Sequence, residues 1–205
     1  MALGRMPSQR DGYAVVKRVF DVTACLLAVP FVVPLLVLCA VAVRLDSPGP
    51  VLFSQKRTGR DNRRFSMWKF RTMCRDAEAM KASLQHLNVL PPPDFKIPDD
   101  PRITRVGRVL RATSLDELPQ LWNVLRGDMS LVGPRPTSFA SDTWELWHTA
   151  RLEVRPGLTG LWQVTGRGVM NFDERLRLDI TYLRTMSLRT DLAILLRTAS
   201  VVVRR

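Results

Sequence analysis

Two carboxylates stand side by side at Asp116 and Glu117, and four arginines, Arg102, Arg105, Arg108 and Arg111, crowd the residues just before them. Arginine forks grip phosphate oxygens and carboxylates hold divalent cations, and together these are the two halves of a site for phosphoryl transfer. A carboxylate can also attack phosphorus itself, forming an acyl-phosphate and dividing one transfer into two steps. The same residues have a plainer reading. Ser114-Leu115-Asp116-Glu117 has the spacing of a capping box, in which Glu117 reaches back to the cap backbone. Lys69 and Arg71 could equally be solvated strand residues, Arg135 the cap of a turn, and Asp179 a helical partner of Arg175 four positions earlier. Local spacing leaves both readings open.

The chain that must position them has 205 residues, 46% of them hydrophobic, enough for one compact domain beside a membrane segment. A formal charge of +12 attracts polyanions, whether nucleic acid, anionic lipid or phosphorylated small molecules, without choosing among them. Cys25, Cys39 and Cys74 show no paired spacing, and His86 and His148 show no ligand pattern, so neither a disulfide framework nor a histidine-based metal centre is expected. A reducing compartment fits.

Residues 1–16 read as a loose N-terminus. Val22 to Val43 carries no charge, and at roughly 1.5 Å per residue it is long enough to cross a bilayer core. No cleavage site follows, so the segment stays attached. Pro30 and Pro34 sit at its centre, where each removes a backbone donor. Lys17 and Arg18 precede it, and Arg44, Lys56, Arg57, Arg60, Arg63 and Arg64 follow, so both ends are drawn to the cytoplasm. A re-entrant helical hairpin over residues 17–45, broken at the prolines, satisfies both pulls; a kinked transmembrane helix is the alternative.

Residues 46–205 read as a mixed α/β, helix-rich cytoplasmic domain. Short strands are expected in DSPGPVLFSQKRTGR and FSMWKFRTM, a helix from Asp76 to Leu87, and an exposed loop from Leu90 to Pro101. Ile103 to Arg111 alternates basic and apolar residues, and Leu115 to Leu125 reads as a helix interrupted at Pro119. Gly133-Pro134-Arg135-Pro136 requires a rigid turn, a polar helical stretch runs from Ser138 to about Val154, and Pro156-Gly157 marks a second turn. Phe172 to Arg205 has the pattern of amphipathic helices with a basic face.

Longer blocks carry a resemblance: KRVFDV before the apolar run, DSPGPVLFSQKRTGR, KFRTM, DPRITRVGRVLRATSLDELPQLWNVLRGDMSLVGPRP, VRPGLTGLWQVTGR and RLDITYL. In these blocks and in their order, nearly end to end, the chain resembles the bacterial sugar transferase family, the monotopic polyprenyl-phosphate phosphoglycosyltransferases that start capsule, O-antigen, exopolysaccharide or glycoprotein glycan assembly. The resemblance implies a ping-pong reaction at the cytoplasmic face of the bacterial inner membrane. Asp116 attacks the sugar-linked phosphorus of a UDP-sugar, UMP leaves, and polyprenyl phosphate then takes the phospho-sugar. It further implies that Asp116 and Glu117 bind Mg2+ and that Lys69, Arg111, Arg135, Arg167 and Asp179 contact substrate. It makes the Pro30/Pro34 segment a re-entrant hairpin and seats the C-terminal helices among lipid headgroups. A homodimer is left open. Departures are Met186 and Arg189, where members commonly carry aromatic residues, and Gly168-Val169-Met170, where a more polar stretch is usual. No multi-span N-terminal region of the kind found in larger relatives is expected, which makes this a minimal catalytic form.

Two other readings compete. A membrane-tethered nucleic-acid-binding protein would suit the charge, but the five tryptophans and two tyrosines are not interleaved with the basic runs as stacking platforms would be, so no nucleic-acid partner is expected. A catalytically silent scaffold for glycan enzymes would not need the carboxylate pair that is present.

Overall fold

A computed structural model of the protein describes residues 7–89, 95–137, 146–165 and 170–203. The chain opens on α1 (Pro7–Asp46), 40 residues long. The helix is already formed at Pro7, inside the stretch expected to be loose. It runs unbroken through Pro30 and Pro34 and stops where Ser47-Pro48-Gly49-Pro50 can no longer continue a helix. The 35 residues Gly12–Asp46 are long and apolar enough to cross a membrane.

Both ends of α1 are fastened to the same body. Near its start, Arg18 donates to the carbonyls of Val124 (2.5 Å) and Leu125 (2.7 Å), Asp21 accepts the Leu131 N–H (3.2 Å), and Cys25 packs against Phe65, Met67, Val124 and Met129. Tyr13 and Lys17 reach the fully buried Asp191 (2.7 and 2.6 Å), which also accepts from Tyr182 (2.8 Å). Near its end, Cys39 and Val43 pack with Phe70 and Leu110, and Asp46 accepts the Val106 N–H (3.1 Å). Between these anchors no residue from Leu26 to Pro34 is buried, and Phe31 is 80% exposed.

β1 (Leu52–Thr58) and β2 (Arg64–Phe70) form an antiparallel hairpin with Leu52 opposite Phe70 and Thr58 opposite Arg64. Its loop is tightened by Asp61 and Asn62, both in the left-handed region that short polar side chains tolerate. The helix expected over Asp76–Leu87 is instead two 3-10 turns, Ala79–Lys81 and Gln85–Leu87. Only Ala77 is buried in that stretch, so no apolar face is packed to sustain a longer helix. Of the expected exposed loop, residues 90–94 lie outside the described ones, and Ile97 and Asp100 beyond them are buried.

α2 (Arg105–Thr113) and α3 (Gln120–Arg126) follow, separated by a 3-10 turn, Leu115–Glu117. β3 (Ser130–Val132) then pairs in parallel with β4 (Gly157–Thr159), so the turn expected at Pro156-Gly157 leads into a strand. The strands come so close that a Cβ on Gly157 would lie 2.1 Å from the Gly133 nitrogen. Of the expected polar helix, residues 138–145 lie outside the described ones, and Leu146–Glu153 is 3-10 helix. α4 (Leu161–Thr165), α5 (Phe172–Thr185) and α6 (Leu188–Val203) complete the chain. The molecule is helix-rich and mixed α/β, as expected. Val132, Tyr182 and Ile194 bind the last helices to β3.

Candidate active site

Thr104 caps α2 by accepting the Gly107 N–H (3.0 Å), and Gly107 lets that helix sit directly on the chain after β2, since a Cβ there would meet the Thr72 carbonyl oxygen at 2.2 Å. One turn later Arg111 donates through Nε to Thr72 Oγ1 (2.8 Å). α2 ends at Ser114, whose φ of 60° reverses the chain into the Leu115–Glu117 turn. An N-cap needs extended backbone, so the left-handed Ser114 does not form the capping box that its spacing suggests, and its side chain makes no cap bond. Glu117 is thereby free to turn elsewhere. The adjoining α3 is tied to β2 by the buried Asn123, which accepts the Trp68 N–H (3.1 Å) and donates to the Ser66 carbonyl (2.8 Å). This seam brings Lys69, at the end of β2, to Glu117.

Lys69 Nζ lies 2.7 Å from Glu117 Oε1. Arg135, held between the buried Pro134 and Pro136, forks onto the same carboxylate with Nη2 at 2.6 Å from Oε1 and Nη1 at 3.4 Å from Oε2. Arg151 supports that arrangement from behind: it donates to the Arg135 carbonyl and pairs with the buried Asp179 at 2.9 Å. A chain of charges therefore runs from Asp179 through Arg151 and Arg135 to Glu117.

The two adjacent carboxylates experience opposite fields. Burial pushes Glu117 up, but Arg135 and Lys69 outweigh it and hold the carboxyl far below its ordinary range. Burial also pushes Asp116 up, Glu117 adds to the rise, and Lys69, Arg111 and Arg135 offset it only in part, so Asp116 ends above its ordinary value. No described residue hydrogen-bonds the Asp116 carboxyl, which faces a cleft of about 1000 Å³. An adjoining lobe of about 580 Å³ shares Arg57, Arg111, Arg135 and Trp162 with it.

Lys69, Arg111, Asp116, Glu117 and Arg135 all line one cleft. Asp179 lines the neighbouring lobe, but its partner is Arg151 rather than Arg175, and burial raises its pKa to about 6. Arg167 lies outside the described residues. Pro30 and Pro34 line neither cavity. Of the other arginines ahead of the pair, Arg102 is committed to a buried fork on Asp100 (2.9 and 2.7 Å), and Arg105 and Arg108 are exposed. Arg71 is structural, donating to the carbonyls of Ser47, Pro48 and Pro50.

Sequence reasoning missed Arg57, Arg151 and Trp162. The i,i+2 spacing of Gln55 and Arg57 on a strand could have placed both on the face that carries Lys69. Nothing local marks Arg151, whose partners are 16 and 28 positions away.

A sequence profile described as bacterial sugar transferase matches residues 12–205. The chain is 48% identical over 192 residues, covering 89% of it, to a UDP-glucose:undecaprenyl-phosphate glucose-1-phosphate transferase of Caulobacter vibrioides, of which the match spans 67%. It is 42% identical over 201 residues, 96% of its length, to galactosyl transferase CpsE of Streptococcus agalactiae, of which the match spans 44%. It is 43% identical over 196 residues, 92% of its length, to an undecaprenyl-phosphate galactose phosphotransferase of Salmonella typhimurium, of which the match spans 40%. The chain therefore spans less than half the length of two of these relatives and about two thirds of the third.

Proposed function

The chain belongs to the bacterial sugar transferase family, and from that premise we propose that it moves a sugar 1-phosphate from a UDP-sugar to polyprenyl phosphate, giving a polyprenyl-diphosphate-sugar and UMP. One observation carries the residue-level reading. Of the two adjacent carboxylates, Glu117 is clamped between two cations while Asp116 faces the cleft with no hydrogen-bond partner among the described residues. A carboxylate whose oxygens are not taken up by neighbouring cations keeps its lone pairs available to attack phosphorus, while a clamped one holds those cations in place.

In the first step an Asp116 oxygen attacks the sugar-linked phosphorus, and the bond from that phosphorus to the bridging oxygen breaks. UMP departs with the electron pair and leaves an aspartyl phosphodiester to the sugar. In the second step a lipid phosphate oxygen attacks the same phosphorus and the carboxylate is released. Lys69, Arg111 and Arg135 offset the negative charge gathered around phosphorus, and the Glu117 clamp keeps Lys69 and Arg135 in place as the reaction proceeds.

Among the described residues no group of three or more His, Cys, Asp or Glu could hold a metal. Mg2+ needs only one or two protein carboxylates where substrate phosphates complete its shell. Among the described residues Asp116 takes no hydrogen bond and Glu117 Oε2 has only the 3.4 Å contact from Arg135, so the pair fits that ion. Bound there, it would neutralise the diphosphate and the leaving phosphate.

The membrane reading rests on α1. A straight helix fastened to one body at both ends would bury a face between its anchors, yet Leu26–Pro34 has no buried residue. A bend at Pro30 and Pro34 that dips this apolar segment into one leaflet and returns it to the cytoplasmic side of the inner membrane accounts for both facts. Leu192 and Leu196, exposed on α6 beside Arg189 and Arg197, would lie at the headgroups.

The test is intact mass spectrometry of the purified protein with a panel of UDP-sugars and Mg2+ but no lipid acceptor. An adduct of the mass of a sugar phosphate on wild type and none on Asp116→Asn supports the two-step reading. Turnover with lipid but no adduct from any donor would sink the covalent step.

A further inference from the structure

We propose that Arg57 is a phosphate-binding residue of the cleft, placed at the junction of its two lobes to receive either the diphosphate of the donor or the phosphate of the lipid acceptor. The proposal rests on the transferase reading above. Arg57 lines both lobes. It sits on the face of β1 shared by Phe53 and Gln55, and Phe53 stands directly opposite Lys69 in the hairpin register. The strand pairing thus turns Arg57 toward the side of the sheet from which Lys69 reaches Glu117.

What distinguishes Arg57 from its neighbours is the lack of acceptors. Arg71 has three backbone carbonyls, Arg102 has the fork on Asp100, Arg18 has two helix-end carbonyls, and Arg135 has Glu117. Among the described residues Arg57 donates only from Nη2 to Gln55 Oε1 (2.5 Å), and its buried Nε has no partner. A guanidinium carries five donors, so most of this fork is unused. The charges that act on it are Arg135 and Arg64, both repulsive, and Glu117, which is already committed to Lys69 and Arg135. Burial and these two cations push its pKa down to about 10. Such a cation lacks an anion with several oxygens, and a phosphate entering the cleft offers that in bidentate geometry. A positively charged wall already balanced from within would gain little from the same ligand.

The test measures equilibrium binding to the full chain in detergent, by calorimetry, of UDP and separately of a short-chain polyprenyl phosphate. Wild type is compared with Arg57→Ala, Arg57→Gln and Arg57→Lys, and thermal unfolding is followed in each. The expected result is a rise in Kd of at least about tenfold for one ligand in Arg57→Ala and Arg57→Gln, with partial recovery in Arg57→Lys, which keeps the charge but loses the fork. Weakened UDP with unchanged lipid phosphate assigns Arg57 to the donor, and the reverse assigns it to the acceptor. If both affinities stay within about twofold of wild type in any folded neutral variant, the proposal is overturned. Arg57-dependent UDP binding in a wild-type protein that turns over with lipid yet forms no covalent adduct would remove the Asp116 nucleophile and leave the phosphate site standing.

Discussion

Asp116 and Glu117 are joined by one peptide bond, yet Glu117 Oε1 receives Lys69 at 2.7 Å and Arg135 at 2.6 Å while Asp116 faces the cleft with a raised pKa. Their environments push the two ionisations apart, the usual way in which neighbouring carboxylates are given different tasks. Asp116→Asn is therefore expected to lower turnover by at least about three orders of magnitude and to abolish the adduct. Glu117→Gln keeps the nucleophile but weakens the clamp, and adduct formation should slow by roughly ten- to a thousand-fold rather than stop. Rapid-quench mass spectrometry distinguishes the two outcomes.

The pH dependence follows from the same pair. Asp116 must be ionised to attack, so adduct formation should fall as pH is lowered through its raised pKa, with an inflection above the ordinary aspartate value of about 3.9. Glu117 is depressed, so its contribution to stability is present above an ordinary glutamate value of about 4.3 and is lost as pH falls below it. Thermal unfolding of wild type and Glu117→Gln should converge in acid, and parallel curves down to about pH 3 would contradict the clamp.

Asp179 has the opposite sign from Glu117. Its folded pKa is raised to about 6, so its contribution is present below the ordinary aspartate value and declines as pH rises toward 6. The unfolding midpoint of wild type relative to Asp179→Asn should therefore drop between about pH 4 and pH 6. Arg151→Ala leaves Asp179 buried without its partner and should cost about 3–5 kcal/mol, measured as a lowered unfolding midpoint at neutral pH.

Asp191 is fully buried and accepts from Tyr13, Lys17 and Tyr182, which join α1, α5 and α6. Asp191→Ala strands the Lys17 charge and is expected to loosen the start of α1. Limited proteolysis should then cut near Tyr13 faster than in wild type, and unchanged cutting would mean that the other anchors suffice.

If α1 re-enters the leaflet it left, single cysteines replacing the exposed Val16 and Lys56 in a cysteine-free background should be labelled from the same side of sealed inverted vesicles. Labelling from opposite sides would establish a spanning helix instead.

Much of this was legible in the linear chain because the responsible physics is local. An uncharged run from Val22 to Val43 is apolar whatever surrounds it, the breakers Pro48-Gly49-Pro50 mark where the first helix ends, and the blocks around Asp116 carry their family resemblance in order. What remained ambiguous were residues whose role depends on distant partners. Glu117 fits a capping box by spacing, and only the left-handed backbone at Ser114, together with Lys69 48 positions before it and Arg135 18 positions after, makes it a clamp instead. Asp179 has Arg175 at helical spacing but pairs with Arg151, and Asp76–Leu87 has helical composition but no packed face to hold a helix. Spacing along the chain can propose a partner for a charge. Which partner it takes is decided by burial, where an unpaired charge costs several kcal/mol and the fold brings together residues that the sequence keeps far apart.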